Sequence, residues 1–200
     1  MRYCVLIAVA ALALSGCITK AYTPVIRYAM APAPAVPTVS PTSCALGIRP
    51  IEPLLPYKQR IVFRLDPYEV SYHTGVEWVE MPRDTVTRAL TDALVQSKRF
   101  ADVGNAADLR LPDFVLTGQL RLFDENRTTD PWTADCEVRL ELRTGLKHDA
   151  AWAATLSARE PLERNDTSAL PAAMSGAITQ IVEQAVAAIT AVEPPDHANR

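Results

Sequence analysis

The sequence predicts an α+β fold: a two-layer domain in which two main helices pack on one face of an antiparallel sheet. Three observations point there. Residues 136–143 (CEVRLELR) alternate apolar and polar without a break. That pattern marks an antiparallel strand with one buried and one wet face. Residues 82–100 and 168–192 each carry apolar side chains at helical spacing on a single side. One-sided helices and a one-sided strand bury their apolar surface most economically as two layers.

In chain order, residues 1–16 read as a signal peptide. Arg2 supplies a positive start, and Val5–Leu14 is an unbroken apolar run. The run is too short to span a bilayer, which takes about 20 residues. A positive start, a short apolar run and small residues at the cleavage region are the marks of an export signal. Leu14-Ser15-Gly16-Cys17 resembles the bacterial lipobox. There the small residues let a peptidase grip the backbone, and the thiol takes a diacylglycerol. Cys17 is therefore the expected lipidation site and the first residue of the mature chain. Several acyl chains anchor firmly where one would not, because each buried CH₂ contributes about 0.8 kcal/mol. Ile18 is not the Asp that commonly retains bacterial lipoproteins at the inner membrane. The expected place is the periplasmic face of the outer membrane.

Residues 17–41 hold Pro24, Pro32, Pro34, Pro37 and Pro41 among Ala and Thr. Such a stretch favours polyproline geometry and reads as a semi-rigid tether. Tyr28-Ala29-Met30 interrupts it as a candidate docked strand. The folded domain is expected over residues 42–192, with a disordered tail over 193–200. Cys44–Ile48 reads as a strand ended by Pro50 and Pro53. Arg60–Leu65 and Glu69–His73 follow as strands, joined by a turn at Pro67. Pro82 stands where a helix's first turn needs no N–H. Val86, Ala89, Leu90, Ala93, Leu94 and Phe100 then form its apolar side. Gly104 is placed in the following loop.

Asp113–Phe123 reads as a strand with Phe114, Leu116, Leu120 and Leu122 on one face. Gly118 on that face leaves room for a close neighbour or a bulge. Asp124–Pro131 reads as a polar turn. Cys136–Arg143 and Trp152–Ala158 complete the sheet. Ser168 is the expected cap of the last helix, with Pro171 in its first turn. Met174, Ala177, Ile178, Ile181, Val182, Ala185 and Ile189 form the apolar stripe, and Pro194-Pro195 stops it.

The net charge of −3 implies no basic face, so nucleic acid is not an expected partner. After cleavage three cysteines remain: Cys17, Cys44 and Cys136. With Cys17 acylated, an even remainder in an oxidising compartment invites a Cys44–Cys136 disulfide. Two buried thiols on strands are the alternative. His73, His148 and His197 fit no metal-ligand spacing. No phosphate loop, nucleophile elbow or H-E-x-x-H motif is present, so no enzyme and no cofactor is expected. Asp124, Glu125, Asp130 and Asp135 cluster in sequence, but their spacing fits no EF-hand loop. A solvated turn is the preferred reading. Trp78 and Trp132 read as a core residue and a loop anchor, with an exposed aromatic patch as the alternative.

The order of segments carries a resemblance. IRPIEPLLPYKQRIVFR is followed by YEVSYHTGVEWVEMPRDTVTRALTDAL, then by DFVLTGQLRLF, CEVRLELR and an Ala-rich helix. This resembles the ABC-type transport auxiliary lipoproteins, the family of the paraquat-inducible protein C component. The matching segments are Pro56-Tyr57 through Ile61-Val62 and Glu77 through Pro82. The family's Arg and Ala in the second segment are Glu77 and Val79 here. The resemblance implies a non-enzymatic partner of an MCE-type ABC system that moves lipids or other apolar molecules between membranes. The ATPase, the permease and the periplasmic MCE-domain protein would be separate chains. It also allows a homo-oligomer. A lipoprotein that carries its own lipid cargo and a structural envelope lipoprotein are the competing readings.

Overall fold

The computed structural model describes residues 24–55 and 57–195. The signal segment, Cys17 and residues 196–200 lie outside the described residues. The elements are β1 (Ile26–Tyr28), β2 (Ala45–Ile48), β3 (Glu52–Pro53), β4 (Arg60–Arg64) and β5 (Ser71–Trp78). Then come α1 (Pro82–Ser97), β6 (Asp102–Asn105), β7 (Phe114–Asn126), β8 (Thr133–Thr144) and β9 (Ala150–Pro161). A short 3₁₀ turn, Thr167–Ala169, leads into α2 (Leu170–Thr190).

The α+β class holds, with two α-helices on a nine-stranded sheet among the described residues. The sheet is mixed rather than wholly antiparallel. β7, β8 and β9 form an antiparallel meander of long strands. The opposite edge of β7 is shared end to end by three short parallel partners. β2 pairs with Leu116 and its neighbours, β3 with Gln119 and Leu120, and β4 with Glu125 and Asn126. β5 pairs antiparallel with β4, and β1 lies parallel on β5. β6, expected as loop, pairs parallel with β2. Both departures need long crossovers, which local alternation cannot reveal.

Leu116, Leu120, Val138, Leu140 and Leu142 are fully buried on the helix-facing side of the sheet. The predicted stripes of α1 and α2 are buried against it, except that α1 ends at Ser97 and the half-buried Phe100 lies beyond it. Residues 167–190 are long and apolar enough to cross a membrane by length and composition. In this fold that stripe packs on β8, β9 and α1.

β7 breaks the predicted alternation. A bulge lies between Leu120 and Leu122: Leu120 faces Val138, yet Leu122 faces Glu137. The inserted residue turns Leu122 to the outer face and brings Phe123 and Glu125 to the helix face. Gly118 does make room for a close neighbour. A Cβ there would overlap Ile51 Cδ1 and stand 2.7 Å from Leu140 Cδ2.

The tether expectation is corrected over residues 30–41. Met30 is buried, and the segment crosses the helix layer as a docked strap. Ala31, Ala33 and Ala35 donate their N–H groups to Ser175 Oγ (3.0 Å), Thr179 Oγ1 (3.1 Å) and Glu183 Oε1 (2.8 Å). Every second strap residue thus meets every fourth helix residue. Two polyproline steps advance about 6.2 Å, and four helical steps about 6.0 Å. Ser175 and Thr179 spend their own protons on the carbonyls of Pro171 and Ser175, which leaves their lone pairs for the strap. Beyond this, Val39 N–H donates to Ser97 O, and Thr42 N–H to Arg99 O.

The helix starts also differ in detail. Ser168 does not cap α2, which has Ala169 at its N-cap and no side-chain cap; Asp166 caps the preceding 3₁₀ turn, its side chain accepting from Ser168 N–H. Pro82 does open α1.

Replacing Gly118 by Ala should cost about 1–3 kcal/mol in urea denaturation, the range for overpacking a filled core. Adding Ile51→Val should recover part of that loss, because it removes the clashing methyl. Independent additive losses would refute the contact. For the strap, Thr179→Val should cost about 0.5–1.5 kcal/mol, the worth of one hydrogen bond. It should also raise amide exchange at Ala33 more than at the α1 end of the strap.

Candidate functional site

The β4–β5 turn, the β7–β8 turn and the segment before α2 meet at one end of the sheet. The bulge in β7 delivers two carboxylates there, Asp124 and Glu125, both buried. Asp135 on β8 is a third. The solvated-turn expectation therefore fails for these three residues. A buried carboxylate persists only when paired and hydrogen-bonded, and each has an arginine. Arg64 Nε donates to Asp124. Arg127 Nε donates to Glu125 Oε1 at 2.7 Å. Arg159 reaches Asp135 with two bonds of 2.9 Å. Asn126 and Thr133 also donate to Asp135.

Glu125 sits at the centre of this cluster. His73 Nε2 lies 3.1 Å from Glu125 Oε2 and 3.0 Å from an Arg127 NH₂ group. Arginine only donates and carboxylate only accepts, so Nε2 can serve one of them at a time. Thr167 Oγ1 accepts from Arg127 at 3.2 Å, tying the start of α2 to the sheet. The Arg127 guanidinium is sandwiched 4.2 Å from the Phe63 ring and 4.3 Å from the Trp132 ring. Burial pushes the Glu125 carboxyl up. Hydrogen bonds from His73 and Arg127, with both their charges, outweigh this and leave it below the usual range. For Tyr57, burial first and then the Asp124 charge push the phenol above its usual range.

Trp78 is a core residue, edge-on to Phe123. Trp132 is half-buried and anchors its loop against Arg127, as expected of it. Sequence reasoning missed His73, Arg64, Arg127 and Thr167. They come from four separate segments, and only the folded register joins them. The cluster is balanced pair by pair and holds loops in place; each carboxylate has an arginine, while Asp124 Oδ1 is buried without a hydrogen-bond partner.

Cys44 and Cys136 are not bridged to each other. Cys44 precedes Leu46, the partner of Phe114, whereas Cys136 faces Phe123. Those rungs are about 30 Å apart at the rise of a strand, and a disulfide needs Cα atoms within about 7 Å. Burial, then the charges of Asp124, Glu137 and Asp135, push the Cys136 thiol up.

Elsewhere, a half-open cleft of about 540 Å³ is bordered by Arg49, Glu52, Asn105 and Thr117. Among the described residues, no group of three His, Cys, Asp or Glu could hold a metal ion.

The family described as ABC-type transport auxiliary lipoprotein component matches residues 28–186. No curated protein matches the chain. Among solved structures, a Xanthomonas campestris protein of the DUF330 family is similar at 24% identity and a TM-score of 0.70. The alignment covers 82% of this chain and 95% of that one. A Chlamydia trachomatis hypothetical protein is similar at 10% identity and a TM-score of 0.51, over 76% of this chain and 98% of that one. Both likenesses concern the fold.

A depressed carboxylate pKa adds stability above its ordinary range, near 4.3 for Glu, that is lost as pH falls through the folded value. Glu125→Gln should thus lower stability at pH 7 by about 1–3 kcal/mol. It should also flatten the fall in stability between neutral pH and pH 3, read by urea denaturation at each pH. An unchanged acid limb would remove Glu125 from the account.

Proposed function

The chain belongs to the ABC-type transport auxiliary lipoproteins, and from that premise we propose that it is a membrane-anchored adaptor of an MCE-type ABC system. Acylated at Cys17, it would sit on the periplasmic face of the outer membrane. There it would dock the periplasmic MCE-domain protein that serves a separate permease and ATPase. It would act in the transfer of lipid or another apolar substrate, without catalysis of its own.

The observation that carries this reading is the docked strap. It draws residues 30–41 onto the domain, and the pairing of β1 before it leaves only the chain from Cys17 to Ile26 as leash. Pairing of β1 starts at Ile26, nine residues beyond Cys17. Such a segment spans at most about 30 Å. An anchor that short holds a rigid domain at one membrane surface, which suits a docking module better than a diffusing carrier. The paired state of the buried acids supports a non-enzymatic role.

Cys17→Ala should move the protein from the membrane fraction to the soluble envelope fraction. Wild-type protein cross-linked in intact envelopes should recover an MCE-domain protein. If the Cys17→Ala protein remains membrane-bound, the anchor is wrong. Co-purified lipid in native mass spectrometry, without an MCE partner, would favour the cargo-carrying reading instead.

A further inference from the structure

We infer that the β4–β5 turn, led by Leu65 and Tyr68, rests on the membrane that holds the acyl chains of Cys17. This orientation rests on the anchor reading above and adds which end of the domain faces the lipid. The argument begins with strand direction. β1 runs parallel to β5, with Ile26 opposite Val76. Pro24 and Val25 therefore leave Ile26 on the side where β5 begins, which is the side of the β4–β5 turn.

The lengths agree. Tyr68 precedes Val76 by eight residues, about 26 Å at strand rise. Cys17 precedes Ile26, on the same rung, by nine residues, at most about 30 Å. A fully extended leash therefore reaches the level of the turn. The far end of the sheet does not: β7 spans about 40 Å from Phe114 to Asn126. There Leu111 and the Gly145 turn lie beyond the leash.

The turn has the chemistry of an interfacial contact. Tyr68 is 96% exposed and Leu65 55% exposed. Val25 and Ile26 are exposed on the adjoining edge. Tyrosine suits the boundary between headgroups and acyl chains, with its ring in the apolar zone and its hydroxyl wet. The backbone beneath it is pinned. Asp66 Oδ1 accepts from the N–H groups of Tyr68 (2.7 Å) and Glu69 (2.9 Å). Arg64, itself paired with Asp124, reaches Pro67 O at 3.4 Å. The buried charge cluster thereby fixes the turn, and little entropy is lost when it meets a surface. The Asp66 and Glu69 carboxylates resist deep insertion, which limits the contact to headgroup depth.

The test uses the full, acylated chain in vesicles of phosphatidylethanolamine and phosphatidylglycerol. Tyr68→Cys and, separately, Leu146→Cys are labelled with a nitroxide; Cys44 and Cys136 are buried. The label at position 68 should collide several-fold more with oxygen relative to a water-soluble nickel chelate than the label at position 146. Equal, water-like ratios in protein that floats with the vesicles overturn the orientation alone. Failure to float overturns the anchor, and the orientation with it.

Discussion

The sheet depends on β7 serving two sets of partners at once. Its 13 residues pair along one edge with β8 and along the other with β2, β3 and β4 in succession. Three short strands, none stable alone, gain a ladder from one long one. The chain between Leu46 and Leu54 stays in contact with β7 almost throughout, since Arg49 N–H and Leu54 N–H also donate to its carbonyls. Gly118 is the pivot of this arrangement. Its missing side chain is where Ile51 enters the core, and Ile51 N–H in turn meets Thr87 of α1.

The bulge in the same strand links packing to electrostatics. By turning one residue out of the ladder, it places Phe123 in the core and Glu125 under the β4–β5 turn. The charges it buries are offset by Arg64 of β4 and Arg127 of the β7–β8 turn. Their value lies in geometry, since removing one partner is costly while the intact pair adds little net stability. That end of the domain is thereby stiff, and its exposed turn is presented rather than loose.

The strap adds a third layer over the helices. It exploits a coincidence of two rises, polyproline and α-helical, that lets a proline-alternating segment hydrogen-bond to a helix surface at regular intervals. Proline at 32 and 34 leaves no N–H unpaired between the donors at Ala31, Ala33 and Ala35. The strap also explains how β1 can lie beyond β4 and β5 near one end of β7 while β2 pairs at the other end of the same edge. For an anchored protein this sets reach: chain spent on the domain is unavailable as tether.

The sequence by itself determined the α+β class, both helix faces, the alternation of β8 and the need for space at Gly118. Those are local periodicities, and burial of one face is enough to specify them. It also carried the family resemblance, through the order and lengths of segments. The tertiary structure alone decided the parallel pairings, the bulge at Leu120–Leu122, the burial of Asp124, Glu125 and Asp135, and the docking of the proline-rich strap. Each of these joins residues far apart in the chain: His73 to Glu125, Ala31 to Ser175, Cys44 far from Cys136. A run such as FDENR reads as a solvated turn until a register with β4 and β8 encloses it. Alternating proline reads as a free tether until a helix of matching rise lies beneath it.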